Sequence, residues 1–318
     1  MKHLSTIVVG LLAMFSLAAN AGDYKNVDVK VRSYPTAFAS PDKLAAHISK
    51  DFYREEDKAR ALFTWMAHNI KYDPSPNAAG RRNRNISYSS QAERSAKIEA
   101  ADNELAIKTL RSRKGVCNGY ATLYKVTAEE MGLKSEIIYG SAKNNPAQIG
   151  KGPSGINHAW NAVRINGVWK LLDVTWGAGG FAASAGSGFD DSYFFTSPDL
   201  FFMNHFPENE NWLLTSKTVS EFAALPLVYN LNYQLVSPVM GIIITGTGEK
   251  TLFKIKGFKA TDEVMYQYTS AAFANKVFPK INDGAGEFNL VLGDNAKGTL
   301  TIFVNKKPLV SYKLTAGN

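Results

Sequence analysis

Arg113-Lys114-Gly115-Val116-Cys117-Asn118-Gly119-Tyr120-Ala121 contains the single cysteine of the 318-residue chain. From this stretch onward Tyr120, Leu123, Tyr124, Thr127 and Met131 recur at i, i+3, i+4, i+7 and i+11, and Gly132 follows as a stop. The spacing predicts a helix that begins at or beside Cys117. A thiol there faces unpaired backbone N–H groups and the positive end of the helix dipole, which favour an anion, lower the thiol pKa and offer an oxyanion site. Cys117 reads as a nucleophile; a buried structural cysteine is the competing reading.

The remainder of the chain sets the setting for that thiol. Residues 1–21 combine Lys2, an apolar run from Ile7 to Ala19 and the small-x-small stretch Ala19-Asn20-Ala21, which predicts a secretory signal and a mature chain from Gly22. The apolar run is too short for a confident membrane span, and no later segment reaches the roughly 18 apolar residues a spanning helix needs. An exported protein is expected, periplasmic or secreted. With one cysteine no internal disulfide can form, so in an oxidising compartment Cys117 is reactive, paired to another molecule, or buried. The formal net charge is +8, one lower once Lys2 leaves, which suits anionic neighbours. Nucleic acid is not the expected partner, because the chain is exported and lacks the aromatic-basic motifs that read bases.

Along the chain, residues 22–39 read as an extended segment in which Val27, Val29 and Val31 alternate with charged neighbours. Ser40-Pro41-Asp42 supplies a cap, a proline at the first helical position and an acid in the first turn of a helix through Lys50. Ala59, Leu62, Phe63, Met66, Ala67 and Ile70 form a broad apolar stripe, with Trp65 and His68 off it. Residues 74–100 read as a long polar loop carrying Arg81, Arg82 and Arg84, which either borders a cleft or is a solvated charge run. A short helix over 104–111 leads into the Cys117 element, and a strand is expected over 134–139.

Asn157-His158-Ala159-Trp160-Asn161-Ala162-Val163-Arg164-Ile165 and Val168 through Trp176 flank Asn166-Gly167, a strong signal for a two-residue hairpin turn. Pairing Ile165 with Val168 puts Trp160 opposite Asp173 and His158 opposite Thr175, so His158 and Asp173 share a face as diagonal neighbours. A diagonal of about 7–8 Å is bridged by an imidazole and a carboxylate. The carboxylate would fix the tautomer, leaving the other ring nitrogen to exchange a proton with Cys117. Cys117, His158 and Asp173 are the candidate catalytic residues.

These blocks resemble the transglutaminase-like superfamily, in its order Cys, His, Asp, and within it the kyphoscoliosis peptidase-like branch. Trp65 through Asp73, in the pattern Trp-x-x-x-x-Ile-x-Tyr-Asp, and the run from Tyr193-Phe194-Phe195-Thr196 through His205-Phe206-Pro207 to Trp212 resemble that branch too. The resemblance covers residues 40–215. It implies an α/β (α+β) papain/transglutaminase-like core and a thiol enzyme acting on peptide or protein amides through a thioester, with cell-wall peptide among the candidate substrates. Hydrolysis and acyl transfer stay open. No metal-ligand spacing and no glycine-rich phosphate loop is seen, so no cofactor is expected. His205 is read as structuring its turn, and Gly177 to Gly188 as a flexible rim.

After Leu225-Pro226 short strands are expected over 241–245, 251–255, 263–268, 288–291, 298–304 and 308–314, separated by turn residues, which predicts an all-β immunoglobulin-like sandwich. The expected organisation is a signal over 1–21, a catalytic domain over 22–225 and an accessory sandwich over 226–318. The rival reading is a non-catalytic envelope module that uses the same fold and sandwich to bind protein or polyanion.

Overall fold

The computed structural model describes residues 24–75, 87–179, 188–246, 248, 250–293 and 296–317. The expected signal, the Arg81, Arg82 and Arg84 cluster, and most of the Gly177–Gly188 segment lie outside these residues.

Residues 24–32 are not extended. Lys25–Arg32 forms helix α1, with Val27 and Val31 buried one turn apart and Val29 left 68% exposed. Three alternating valines satisfy a period of two and also the i, i+4 spacing, and tertiary packing selects the second. Asp28 accepts from Arg60 Nε at 2.9 Å and Nη2 at 2.7 Å and from Thr64 Oγ1 at 2.6 Å, which ties α1 to the third helix. Helix α2 spans Pro41–Asp51 and opens at Ser40 as expected. Helix α3 spans Glu55–Asn69. Trp65 lies off its apolar stripe yet is fully buried, because its Nε1–H finds Pro35 O at 2.9 Å. His68 is exposed and stacks on Phe189.

From Gln91 onward the expected polar loop is helical. Strand β1, Lys71–Tyr72, precedes helix α4, Gln91–Ser112, which absorbs both the end of that loop and the short predicted helix. Ser90 caps α4 by accepting from Glu93 N at 3.1 Å. Arg113 then turns the chain at φ 53° into strand β2, Lys114–Gly115. β2 pairs in parallel with β1, Tyr72 opposite Gly115, so the Trp65–Asp73 block lies against the approach to Cys117.

Helix α5, Cys117–Glu130, packs across an antiparallel sheet. That sheet holds β3 (Lys134–Ala142), β4 (His158–Ile165), β5 (Val168–Leu172), β6 (Phe194–Thr196) and β7 (His205–Pro207) in the order β6-β5-β4-β3-β7. Asn166 and Gly167 both have positive φ, 49° and 84°, as the predicted turn type demands, and Ile165 pairs with Val168. The predicted register holds as far as Asn161 opposite Leu172. It ends there. Asp173 leaves the ladder to cap the short helix α6, Val174–Gly177, its Oδ1 accepting from Trp176 N at 3.0 Å. Helix α7, Pro198–Phe201, then carries the chain from the β6 edge to the β7 edge, with Phe201 packed on Ile138, Trp160 and Leu171 of the sheet.

After helix α8, Val219–Ala224, the chain is β-rich. Strands β8 (Leu227–Val228), β9 (Gln234–Ser237), β10 (Ile242–Thr245), β11 (Lys250–Lys256), β12 (Val264–Tyr268), β13 (Asn275–Val277), β14 (Lys280–Asn282), β15 (Ala285–Val291), β16 (Thr299–Val304) and β17 (Lys307–Ala316) follow. One sheet runs β10-β17-β16-β12-β13 with β8 on β17, the other β14-β15-β11-β9. Phe253 of β11 meets Tyr312 of β17 edge to face at 5.7 Å, so the two sheets close on one core. All six predicted strands are present; β8, β9, β13 and β14 are short and carry too little pattern to be seen in sequence.

Candidate active site

Cys117 is the first residue of α5, behind Val116, whose extended φ and ψ of −90° and 177° mark the helix boundary. At that place the first backbone N–H groups have no carbonyl one turn back to bond. Three side chains hold the helix start in position. Tyr120 Oη donates to Ile70 O at 2.6 Å, Tyr139 Oη donates to Asn118 Oδ1 at 2.8 Å, and Asn161 Nδ2 donates from the sheet to Ala121 O at 2.9 Å.

His158 opens β4, and its approach is fixed by Asn157, whose side chain exchanges hydrogen bonds with Ala142 N at 2.6 Å and Ala142 O at 3.0 Å. Opposite His158 stands Gly140, where a Cβ would meet Phe206 O at 2.2 Å and the Trp160 ring at 2.6 Å. Only glycine lets β7 run so close. The His158 ring lies against Trp176, centroids 5.2 Å apart and planes 29° from parallel. Its Nε2–H donates to Asp173 Oδ2 at 2.6 Å, and the Cys117 thiol lies close enough for the two groups to shift each other's titration.

Asp173 is fully buried. Burial would raise its pKa, but the charge and hydrogen bond of His158, with a second bond from His205 Nε2 at 3.1 Å, hold it well below the carboxylate range. Burial pushes the His158 imidazole down, and Asp173 and Cys117 together reverse this, so its net shift is upward. Half-buried Cys117 is pushed up by burial and pulled further down by His158 and the Ala159 backbone N–H, for a net shift below the ordinary thiol value. Each of the three net shifts favours the charged form of its group.

Residues 42–174 match the family model described as the transglutaminase-like superfamily. The chain carries a transglutaminase-like domain. The human kyphoscoliosis peptidase is 30% identical over 204 residues, 63% of this chain and 28% of that protein. Hillarin of Drosophila melanogaster is 31% identical over 142 residues, 39% of this chain and 17% of that protein, so the chain spans under a third of the length of these relatives. The solved structure of a TGase shares 17% identity over 50% of this chain and 35% of that chain, with a TM-score of 0.27.

Within the transglutaminase-like domain, His158 and Asp173 meet at 2.6 Å with Cys117 beside them, and Asp173 reaches His158 from a helix cap and not from the strand the sequence suggests. His205, Gly140 and Asn161 were not read as parts of the site. The available signal for His205 was a polar ring inside the aromatic run Phe201 to Phe206, where a buried imidazole must find a partner. His158, Asp173 and His205 bring ligand-type atoms within 4.8 Å of one another. Both imidazole Nε2 atoms are aimed at one carboxylate oxygen, so direct hydrogen bonds account for the cluster. An apolar cavity of about 620 Å³ lies between Phe202, Met203, Leu225 and Leu235, and its lining includes none of the three.

Proposed function

We propose that this chain is an exported thiol enzyme that attacks a peptide or protein amide and forms a thioester at Cys117. The observation that supports this best is the 2.6 Å bond between the His158 imidazole and the buried Asp173 carboxylate, with Cys117 beside them at the start of α5. The Cys117 thiolate adds to the amide carbonyl carbon, and the oxyanion that forms lies at the start of α5, where the Cys117 backbone N–H is the nearest helix-terminal donor. The C–N bond then breaks, His158 gives its proton to the leaving amine, and a thioester remains. Water, deprotonated by His158, hydrolyses it, or a second amine takes the acyl group. Asp173 keeps the imidazole in the one tautomer that serves both steps. The family of the domain favours protein substrates, and the expected export adds cell-wall peptide to them.

The test is the pH dependence of iodoacetamide alkylation of Cys117 in wild type and His158→Ala, followed by mass spectrometry of the protein after incubation with peptide amides. The expected result is a wild-type thiol that reacts well below the pH of a free cysteine, a profile lost in His158→Ala, and an acyl adduct absent from Cys117→Ala. An ordinary thiol profile in folded wild type would defeat the enzyme reading and favour the binding module.

A further inference from the structure

We propose that His205 is a positioning residue for the thiol chemistry: its Nε2–H, donated to Asp173 Oδ2, fixes the carboxylate oxygen against which His158 is oriented. The inference rests on the thiol-enzyme reading and adds a fourth side chain to its machinery. His205 does not touch Cys117 and acts through Asp173.

The geometry carries it in three steps. First, the two imidazoles converge on the same oxygen, His158 at 2.6 Å and His205 at 3.1 Å, while Trp176 N holds Oδ1 at 3.0 Å. With both oxygens engaged, the carboxylate cannot rotate without breaking a charge-assisted bond. Second, the His205 ring is itself immobile. It stacks on Phe201 at 4.0 Å, lies 4.3 Å from Trp176 and meets the Trp160 ring edge to face at 5.0 Å. Nδ1 faces Phe201 O at 3.3 Å and Nε2 faces Asp173 Oδ2 at 3.1 Å, both acceptors; a neutral ring donates to only one, and the nearer, charged carboxylate is the stronger claim on the proton. Third, the backbone of His205 is held from both sides. It pairs with Ala142 in the sheet, and the neighbouring Asn204 accepts from Lys143 N at 2.8 Å and bonds Val228 through its side chain.

The ionisable groups facing His205 are Asp173, His158 and, at 6.4 Å between rings, Tyr193. Burial keeps the His205 imidazole below its ordinary pKa, so it donates a hydrogen bond without adding a charge beside His158. A second neutral donor shares the carboxylate and leaves His158 the only imidazole of the pair that takes up a proton. If His205 were only a packed ring of the aromatic cluster, a phenyl group would serve as well.

The experiment compares wild type, His205→Phe, His205→Asn and His205→Gln by the alkylation profile of Cys117 and by ¹⁵N NMR of imidazole-labelled protein. Phe keeps a ring without the donor, Asn is too short to reach Asp173, and Gln returns an N–H close to the Nε2 position. The expected result is a roughly 10- to 100-fold slower alkylation at neutral pH in Phe and Asn, with a shifted His158 resonance, and recovery of both in Gln. Should His205→Phe fail to fold, Asn against Gln carries the same comparison. Unchanged alkylation and an unmoved His158 resonance in Phe or Asn would overturn the proposal while leaving the thiol-enzyme reading intact. A wild-type Cys117 that alkylates like a free thiol would defeat that reading and this inference with it, since no base would then need positioning.

Discussion

Replacing Asp173 by Asn tests the site with the smallest change in shape. The wild-type carboxylate has two oxygens and three donors: Oδ2 accepts from His158 at 2.6 Å and His205 at 3.1 Å, and Oδ1 accepts from Trp176 N at 3.0 Å. An amide has one oxygen. If that oxygen stays with the imidazoles, the amide N–H₂ confronts the Trp176 N–H. If it turns to Trp176, the N–H₂ faces His158, which must then carry its proton on the nitrogen beside Cys117, where it cannot accept the thiol proton. Hydrogen bonds to charged groups contribute about 1.5–3 kcal/mol each, so weakening the two imidazole bonds costs roughly 3–6 kcal/mol of imidazolium stabilisation. The alkylation rate of Cys117 near neutral pH should fall about 10²- to 10⁴-fold, and its profile should move up toward that of a free thiol. The sign for stability follows from the depressed Asp173 pKa. Its contribution is full above the ordinary carboxylate value of about 4 and is lost as pH falls toward the folded value, so Asp173→Asn should flatten the acid limb of stability. The assay is stopped-time alkylation with mass-spectrometric readout, with circular dichroism to confirm folding. A folded Asp173→Asn protein that keeps the wild-type alkylation profile would refute the reasoning.

Gly140→Ala should destabilise the fold by about 1–3 kcal/mol or more, because its Cβ would lie 2.2 Å from Phe206 O and force β7 away from β3; urea unfolding checks this, and an unchanged midpoint would count against the close approach. Lys143 is buried, its Nζ donating to Phe222 O and Leu225 O at 2.8 Å each, and burial pushes its pKa down to about 7. The unfolded chain therefore binds the extra proton between about pH 7 and 10, and stability from this group rises with pH across that window by up to about 1.4 kcal/mol per unit. The difference in unfolding free energy between wild type and Lys143→Met should carry that slope, and a difference independent of pH would show that Lys143 stays charged.

The parts of the fold that were legible in the sequence are those whose local signals agree with their final environment. Helix α5 carries its apolar spacing into the core, and Asn166-Gly167 fixes the hairpin register by turn geometry alone. Where one pattern served two structures, tertiary contacts decided. Val27, Val29 and Val31 fit a strand, and the pairing of Asp28 with buried Arg60 helps hold them as a helix. Helix α4 was hidden for the opposite reason: its first turns are largely exposed, so no apolar stripe announced it, although Ser90-x-x-Glu93 is a helix-start signature. The approach of His158 to Asp173 was legible because the Asn166-Gly167 turn sets both near the same end of one hairpin. His205 was not, because its role depends on a sheet edge that no local pattern specifies.

The strand order β6-β5-β4-β3-β7 also has a temporal meaning. The chain lays down β3 through β6 as neighbours, then crosses the sheet through α7 and adds β7 at the opposite edge, beside the first strand made. A nascent chain that has emerged only as far as β6 already contains Cys117, His158 and Asp173, but His205 and the edge that carries it are still inside the ribosome. The full set of bonds to Asp173 therefore forms only after the last strand of the sheet has been synthesised, so a truncated product lacks the completed carboxylate clamp.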